Sequence, residues 1–157
     1  MTSSQPPESP AATVHDLTAQ SITAGLKSVL LLEDDVAFAE ILCAFLESHS
    51  FQVTRVTNGV DGLRLILTND FDIILCDLVM PHLPGDKFHL AVQRARQHLC
   101  NRFVFMTGHK AESRWDTFLS QVNNPVLEKP FGLSDLLSTM ETVLTENALN
   151  SPQTRPT

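Results

Sequence analysis

One stretch restricts the folds open to this chain more than any other: Asp72-Ile73-Ile74-Leu75-Cys76-Asp77, continuing through Leu78-Val79-Met80-Pro81 to Pro84-Gly85. An unbroken apolar run with β-branched members, closed by a Pro/Gly-rich segment, predicts a short strand buried on both faces. Such strands belong inside parallel sheets, with helices above and below. Asp77 stands at the carboxyl end of this strand, the edge at which open α/β sheets bind ligands and carry chemistry. Taken alone, an Asp there reads first as a turn or capping residue. Its company changes that reading.

The punctuation around this strand is regular. Ser28 to Leu32 is an apolar run, and Phe38, Ile41, Leu42, Phe45 and Leu46 then recur at helical spacing. Phe51, Val53 and Val56 predict a second strand. Between Asn58-Gly59 and Asn69-Asp70, Val60, Leu63, Ile66 and Leu67 mark a helix. After the Pro/Gly loop, Phe88, Ala91, Val92 and Ala95 share a helical face, followed by a strand over Phe103 to Met106. Trp115, Phe118, Leu119 and Val122 predict a fourth helix, Val126 to Glu128 a short strand, and Leu136, Leu137, Met140, Val143 and Leu144 a last helix. Five strands alternating with five helices predict an α/β fold, a flavodoxin-like, doubly wound five-stranded parallel sheet covered on both faces.

The folded domain is expected over residues 27–148. Residues 1–26 and 149–157, rich in Ser, Thr, Pro and Ala with little apolar periodicity, are expected to be a disordered leader and tail. With 157 residues, 43% of them hydrophobic, the chain has material for one core and not two. Its net charge of −7 argues against a surface that holds nucleic-acid backbones. Cys43, Cys76 and Cys100 are odd in number and widely spaced, which suits core thiols in a reducing compartment better than a disulfide framework or a zinc site. No stretch has the roughly 18 apolar residues of a membrane span, and no secretory signal is evident, so a cytoplasmic protein is expected.

In a doubly wound sheet the carboxyl ends of all strands share one rim. The residues just past strands 1, 3, 4 and 5 are Glu33, Asp34 and Asp35; Asp77; Thr107; and Lys129. Carboxylates gathered in a cleft repel one another, and a hard divalent cation with oxygen ligands relieves the repulsion, which points to Mg²⁺. A carboxylate beside that metal can accept a phosphoryl group, because phosphoryl transfer depends chiefly on positioning and on neutralising oxygen charge. The Lys129 ammonium would then pair with one phosphoryl oxygen and the Thr107 hydroxyl with another. Each residue alone has an ordinary explanation: Asp34 or Asp35 as a helix N-cap, Thr107 as a strand-end hydroxyl, Lys129 as a solvated cation. Their joint occurrence at matching strand ends is what carries the reading. Of the six histidines, His15, His49, His82, His89 and His98 read as surface or loop residues, while His109 lies two positions after Thr107.

Glu33-Asp34-Asp35 after an apolar strand, Asp77 with Met80-Pro81 and Pro84-Gly85, Thr107-Gly108, and Lys129-Pro130-Phe131 together resemble the receiver domain of two-component response regulators. The resemblance spans about Ser28 to Asn147 and extends to the spacings of 43, 30 and 22 residues separating Asp34, Asp77, Thr107 and Lys129. It implies Asp77 as phosphoacceptor, and Asp34 as direct Mg²⁺ ligand with Glu33 acting partly through water. The Val79 carbonyl becomes a further ligand, and Thr107 and Lys129 a phosphoryl-sensing pair. It also implies a cis Lys129-Pro130 bond, a histidine kinase or histidine phosphotransfer protein as donor, and a downstream protein target.

Two departures stand out. Val126 replaces the aromatic residue common three positions before the lysine, and Val122-Asn123 replaces a Gly-Ala pair. The segment from Asn124 to Phe131 looks more like receivers of hybrid sensor kinases, so a phosphorelay stands beside a simple two-component system as an expected context. Past the last helix only Ser151 to Thr157 remains, so output is expected through a partner and not through an attached enzyme or DNA-binding domain. The alternatives are a flavodoxin-like cofactor binder, an aspartate-nucleophile phosphatase, and a degenerate receiver acting without phosphorylation.

Overall fold

The computed structural model describes residues 25–108 and 113–152. Almost all of the expected leader, the last five residues and His109 lie outside the described residues. In chain order the elements are β1 (Lys27–Leu32), α1 (Val36–Ser48), β2 (Phe51–Val56), α2 (Gly59–Thr68), β3 (Ile73–Asp77), α3 (Gly85–Arg96), a 3₁₀ segment (Gln97–Arg102), β4 (Phe103–Thr107), α4 (Ser113–Gln121), β5 (Val126–Glu128) and α5 (Leu133–Asn150). The last helix thus runs two residues past position 148. All strand pairs are parallel, in the order β2-β1-β3-β4-β5.

The sheet divides its side chains by the two-residue period of a strand. Val29, Leu31, Ile73, Leu75, Val104 and Met106 pack on one face against Ala39, Leu42 and Leu46 of α1 and Leu136, Met140 and Val143 of α5. Leu30, Leu32, Ile74, Cys76, Phe103 and Phe105 face the other way, toward Ile66 of α2, Phe88 and Val92 of α3 and Trp115 of α4. The three central strands are therefore apolar on both faces, as the unbroken runs require. A fully buried Leu or Ile contributes about 1.5–3 kcal/mol, and slipping β3 by one residue would exchange its whole set between the two cores. This is why Asp77 has one possible height at the rim.

Local chemistry sets the helix starts. The Asp35 side chain accepts the Phe38 N–H at 3.0 Å to cap α1, and the Asn58 side chain accepts the Asp61 N–H at 2.9 Å to cap α2. At the start of α3, Gly85 approaches the chain after β3 so closely that a Cβ there would lie 2.9 Å from both the Asp77 carbonyl oxygen and the Leu78 Cα. The Gly85 N–H donates to the Leu78 carbonyl at 3.0 Å, tying the helix to that loop.

His89 corrects the sequence reading. It is not a surface residue: it is 5% exposed, with its ring 4.9 Å from that of Phe103, 5.7 Å from Phe105 and 5.5 Å from Phe118. The aromatic partners come from β4 and α4, so the α3 pattern alone does not reveal the burial. Burial lowers the imidazole pKa, and its Nε2 has no hydrogen-bond partner. The three cysteines are free, Cys76 in the core and the other two half-buried. Burial pushes the Cys76 thiol well up, which keeps it protonated.

Candidate functional site

The parallel register delivers the predicted residues to one rim. Leu32, the last residue of β1, pairs with Cys76, so Glu33 and Asp77 emerge side by side. Asp77 pairs with Met106, and Thr107 with Glu128, which brings Thr107 and Lys129 to the same edge. Two backbone bonds lock these loops together: the Leu78 N–H donates to the Met106 carbonyl at 3.0 Å, and the Lys129 N–H to the Thr107 carbonyl at 2.8 Å. The Lys129-Pro130 peptide is cis.

Glu33, Asp34 and Asp77 form an acidic cluster, each offering an oxygen within 4.8 Å of the others. Glu33 and Asp77 are buried and Asp34 is exposed, so the cluster opens to solvent on the Asp34 side. Lys129 joins the two buried acids, its Nζ donating to Glu33 Oε2 at 2.7 Å and to Asp77 Oδ2 at 2.5 Å. Asp77 Oδ1 accepts the Val79 N–H at 2.9 Å, which fixes the carboxylate plane from both sides. Glu33 Oε1 accepts the Asp35 N–H at 3.0 Å. Asp35 itself serves α1 as its cap and stands outside the acidic cluster. Thr107 is buried at the end of β4, and Val79 is exposed.

The electrostatics follow from this packing. Burial raises the Glu33 pKa and the negative Asp77 nearby adds to it; the Lys129 and Asp35 hydrogen bonds pull the other way without overcoming burial. For Lys129, burial disfavours the ammonium, but hydrogen bonds to Asp77 and Glu33 outweigh it and the pKa ends above the ordinary lysine value. Carboxylates held near one another with one ammonium between them leave net negative charge, which suits a hard cation with oxygen ligands.

One contact at the site has no counterpart in the sequence reading. The Lys129 ammonium lies over the Phe38 ring, 4.6 Å from its centroid, and that ring meets Phe131 edge-on at 5.8 Å. Phe38 reads in the sequence as one more apolar position of α1. A helical period cannot tell a ring that faces a core from a ring that faces a cation.

Residues 29–141 match the family model described as "Response regulator receiver domain". The chain is 30% identical over 119 residues to the response regulator receiver protein CpdR of Brucella abortus, covering 76% of this chain and 98% of that protein. It is 28% identical over 129 residues to the transcription factor SKN7 of Candida albicans, where the match covers 82% of this chain but spans only 23% of the relative. Among solved structures, the receiver domain of sensor histidine kinase PA1611 from Pseudomonas aeruginosa aligns with a TM-score of 0.70 at 22% identity, over 77% of this chain and 99% of the other; that structure has magnesium coordinated in its active-site cleft. At that identity the likeness establishes the fold.

Proposed function

The chain belongs to the response regulator receiver family, and from that premise we propose that it is a phosphoacceptor of a two-component or phosphorelay system, with Asp77 receiving the phosphoryl group. The observation that carries the proposal is the Lys129 ammonium held on both Glu33 and Asp77 at the carboxyl rim of the sheet. An Asp with one oxygen fixed by a backbone N–H and the other by an ammonium presents its lone pairs in a fixed direction, and positioning is the larger part of phosphoryl-transfer catalysis. The protein is on this reading a signalling module that assists its own modification, not an enzyme acting on a released product.

The acid cluster has the donor set for Mg²⁺: three carboxylates, no nitrogen or sulfur, and an open side at Asp34. Glu33, Asp34, Asp77 and the Val79 carbonyl would hold it, and when bound it supplies positive charge against the phosphoryl oxygens. In the transfer, an Asp77 carboxylate oxygen forms the new O–P bond as the P–N bond of a donor phosphohistidine breaks, and the imidazole leaves with the electron pair of that bond. Lys129 then moves its Asp77 hydrogen bond to a phosphoryl oxygen, and the Thr107 hydroxyl donates to another. The donor is a histidine kinase or a histidine phosphotransfer protein, the recipient of the signal a downstream protein, and the compartment the cytoplasm. Among the described residues no helix is long and apolar enough to cross a membrane.

A flavodoxin-like cofactor reading is opposed by Glu33, Asp34 and Asp77, which would repel a phosphate where that fold binds one. The test is phosphotransfer from a phosphorylated histidine phosphotransfer protein in Mg²⁺. Wild type is expected to take the label and Asp77→Asn to take none. Equal labelling of both proteins would remove Asp77 from the reaction.

A further inference from the structure

Three contacts hold the Lys129 ammonium: Glu33, Asp77 and the face of Phe38. They differ in what phosphorylation does to them. Once Asp77 is an acyl phosphate, the negative phosphoryl oxygens replace its carboxylate charge, and the bond from Nζ must pass from Oδ2 to one of them while the bond to Glu33 stays. The attraction of a cation to a ring face does not depend on donor direction or on the state of Asp77. Phe131 braces that ring edge-on, and it follows Lys129 by two residues, so α1 and the segment after β5 fix ring and ammonium together. The Lys129 side chain is 24% exposed, enough for water to compete for it during the exchange.

We propose that Phe38 is a positioning residue whose ring face keeps the Lys129 ammonium at the acidic rim while its partner on Asp77 changes from a carboxylate to a phosphoryl oxygen. The inference rests on the phosphoacceptor reading of Asp77. It makes the ring's electron density, and not merely its bulk, the property that matters.

Stepwise fluorination separates the two, because it drains the face of the ring while leaving its shape nearly unchanged. The experiment places mono- to pentafluorinated phenylalanine at position 38 of the full chain, beside Phe38→Leu and Phe38→Tyr. It measures the rate at which a small phosphodonor modifies Asp77 in Mg²⁺, the exchange rate of the Lys129 ammonium protons by nitrogen-15 NMR, and the thermal midpoint. The phosphorylation rate is expected to fall progressively with fluorination, by about three- to tenfold for the most electron-poor ring, with Phe38→Leu similar and Phe38→Tyr near wild type. Ammonium proton exchange should rise along the same series while the thermal midpoint stays level. Rates that are flat across the fluorinated series, or that follow the thermal midpoint instead of ring electronics, overturn the positioning role. A wild-type protein that gains no phosphoryl group on Asp77 overturns the phosphoacceptor reading and this role with it. Flat rates in a protein that does become phosphorylated overturn the positioning role alone.

Discussion

Replacing Lys129 with Met keeps the stem and removes the charge that joins two buried acids. Glu33 and Asp77 have side chains 1% and 8% exposed, and the lysine is 24% exposed. Deleting one partner of a fully buried pair costs about 3–5 kcal/mol, whereas exposed pairs are worth about 0–1 kcal/mol. With acids this buried and a lysine partly wet, a loss of about 2 kcal/mol is expected for Lys129→Met without Mg²⁺. For a domain of this size that corresponds to a thermal midpoint about 8 °C lower. The pH dependence has a definite sign. Glu33 already has a folded-state pKa above its unfolded value, so its contribution favours folding at low pH and is lost as pH rises through the folded value. Removing the ammonium raises that folded value further, so the deficit against wild type should be larger near about pH 7.5 than near about pH 5. Mg²⁺ should stabilise the variant more than wild type, because it takes over the neutralising role of the missing ammonium. Circular-dichroism melts of both proteins, with and without Mg²⁺ at the two pH values, read all of this. A Lys129→Met protein that melts within about one degree of wild type without Mg²⁺ would show that the ion pair does not offset the burial of the two acids.

Three further outcomes follow from single residues. The His89 imidazole, its pKa depressed by burial, contributes stability above the unfolded value that is lost as pH falls through the folded one; His89→Leu should therefore lose less stability than wild type on acidification, as urea titrations across that range would show. Gly85→Ala would put a Cβ 2.9 Å from backbone atoms of Asp77 and Leu78, so a loss of about 1–3 kcal/mol is expected despite alanine's better helix propensity, together with slower phosphorylation of Asp77, read by melting and by phosphodonor kinetics. Val79, exposed beside Asp77, offers no side-chain hydrogen bond to an attacking water; Val79→Asn should shorten the phospho-Asp77 lifetime about fivefold, as one added hydrogen bond of about 1 kcal/mol allows, and an unchanged decay would refute it.

What could be read in advance was what depends on short-range pattern. The runs Val29–Leu32, Ile73–Cys76 and Phe103–Met106 show their burial on both faces directly, and once the sheet is parallel the rim residues Glu33, Asp34, Asp77, Thr107 and Lys129 follow from topology. The 3₁₀ segment Gln97–Arg102 escaped because it is too short to show a period, although it buries Leu99. His89 escaped for a different reason: a polar residue on an amphipathic helix looks solvated until rings from β4 and α4 close over it. The pairing of Lys129 with Glu33 and its seat on Phe38 were equally hidden, since both arise from side-chain reach across elements distant in the chain.

Asp77 is proposed to accept a phosphoryl group through chemistry built into this domain. The most direct measurement is the intact mass of the protein after incubation with a small phosphodonor, in Mg²⁺ and in chelator, for wild type and Asp77→Asn. A single phosphoryl adduct on wild type in Mg²⁺, greatly diminished in chelator and absent from Asp77→Asn, is the predicted result. An adduct that persists in Asp77→Asn, or no adduct on wild type under any of these conditions, would contradict it.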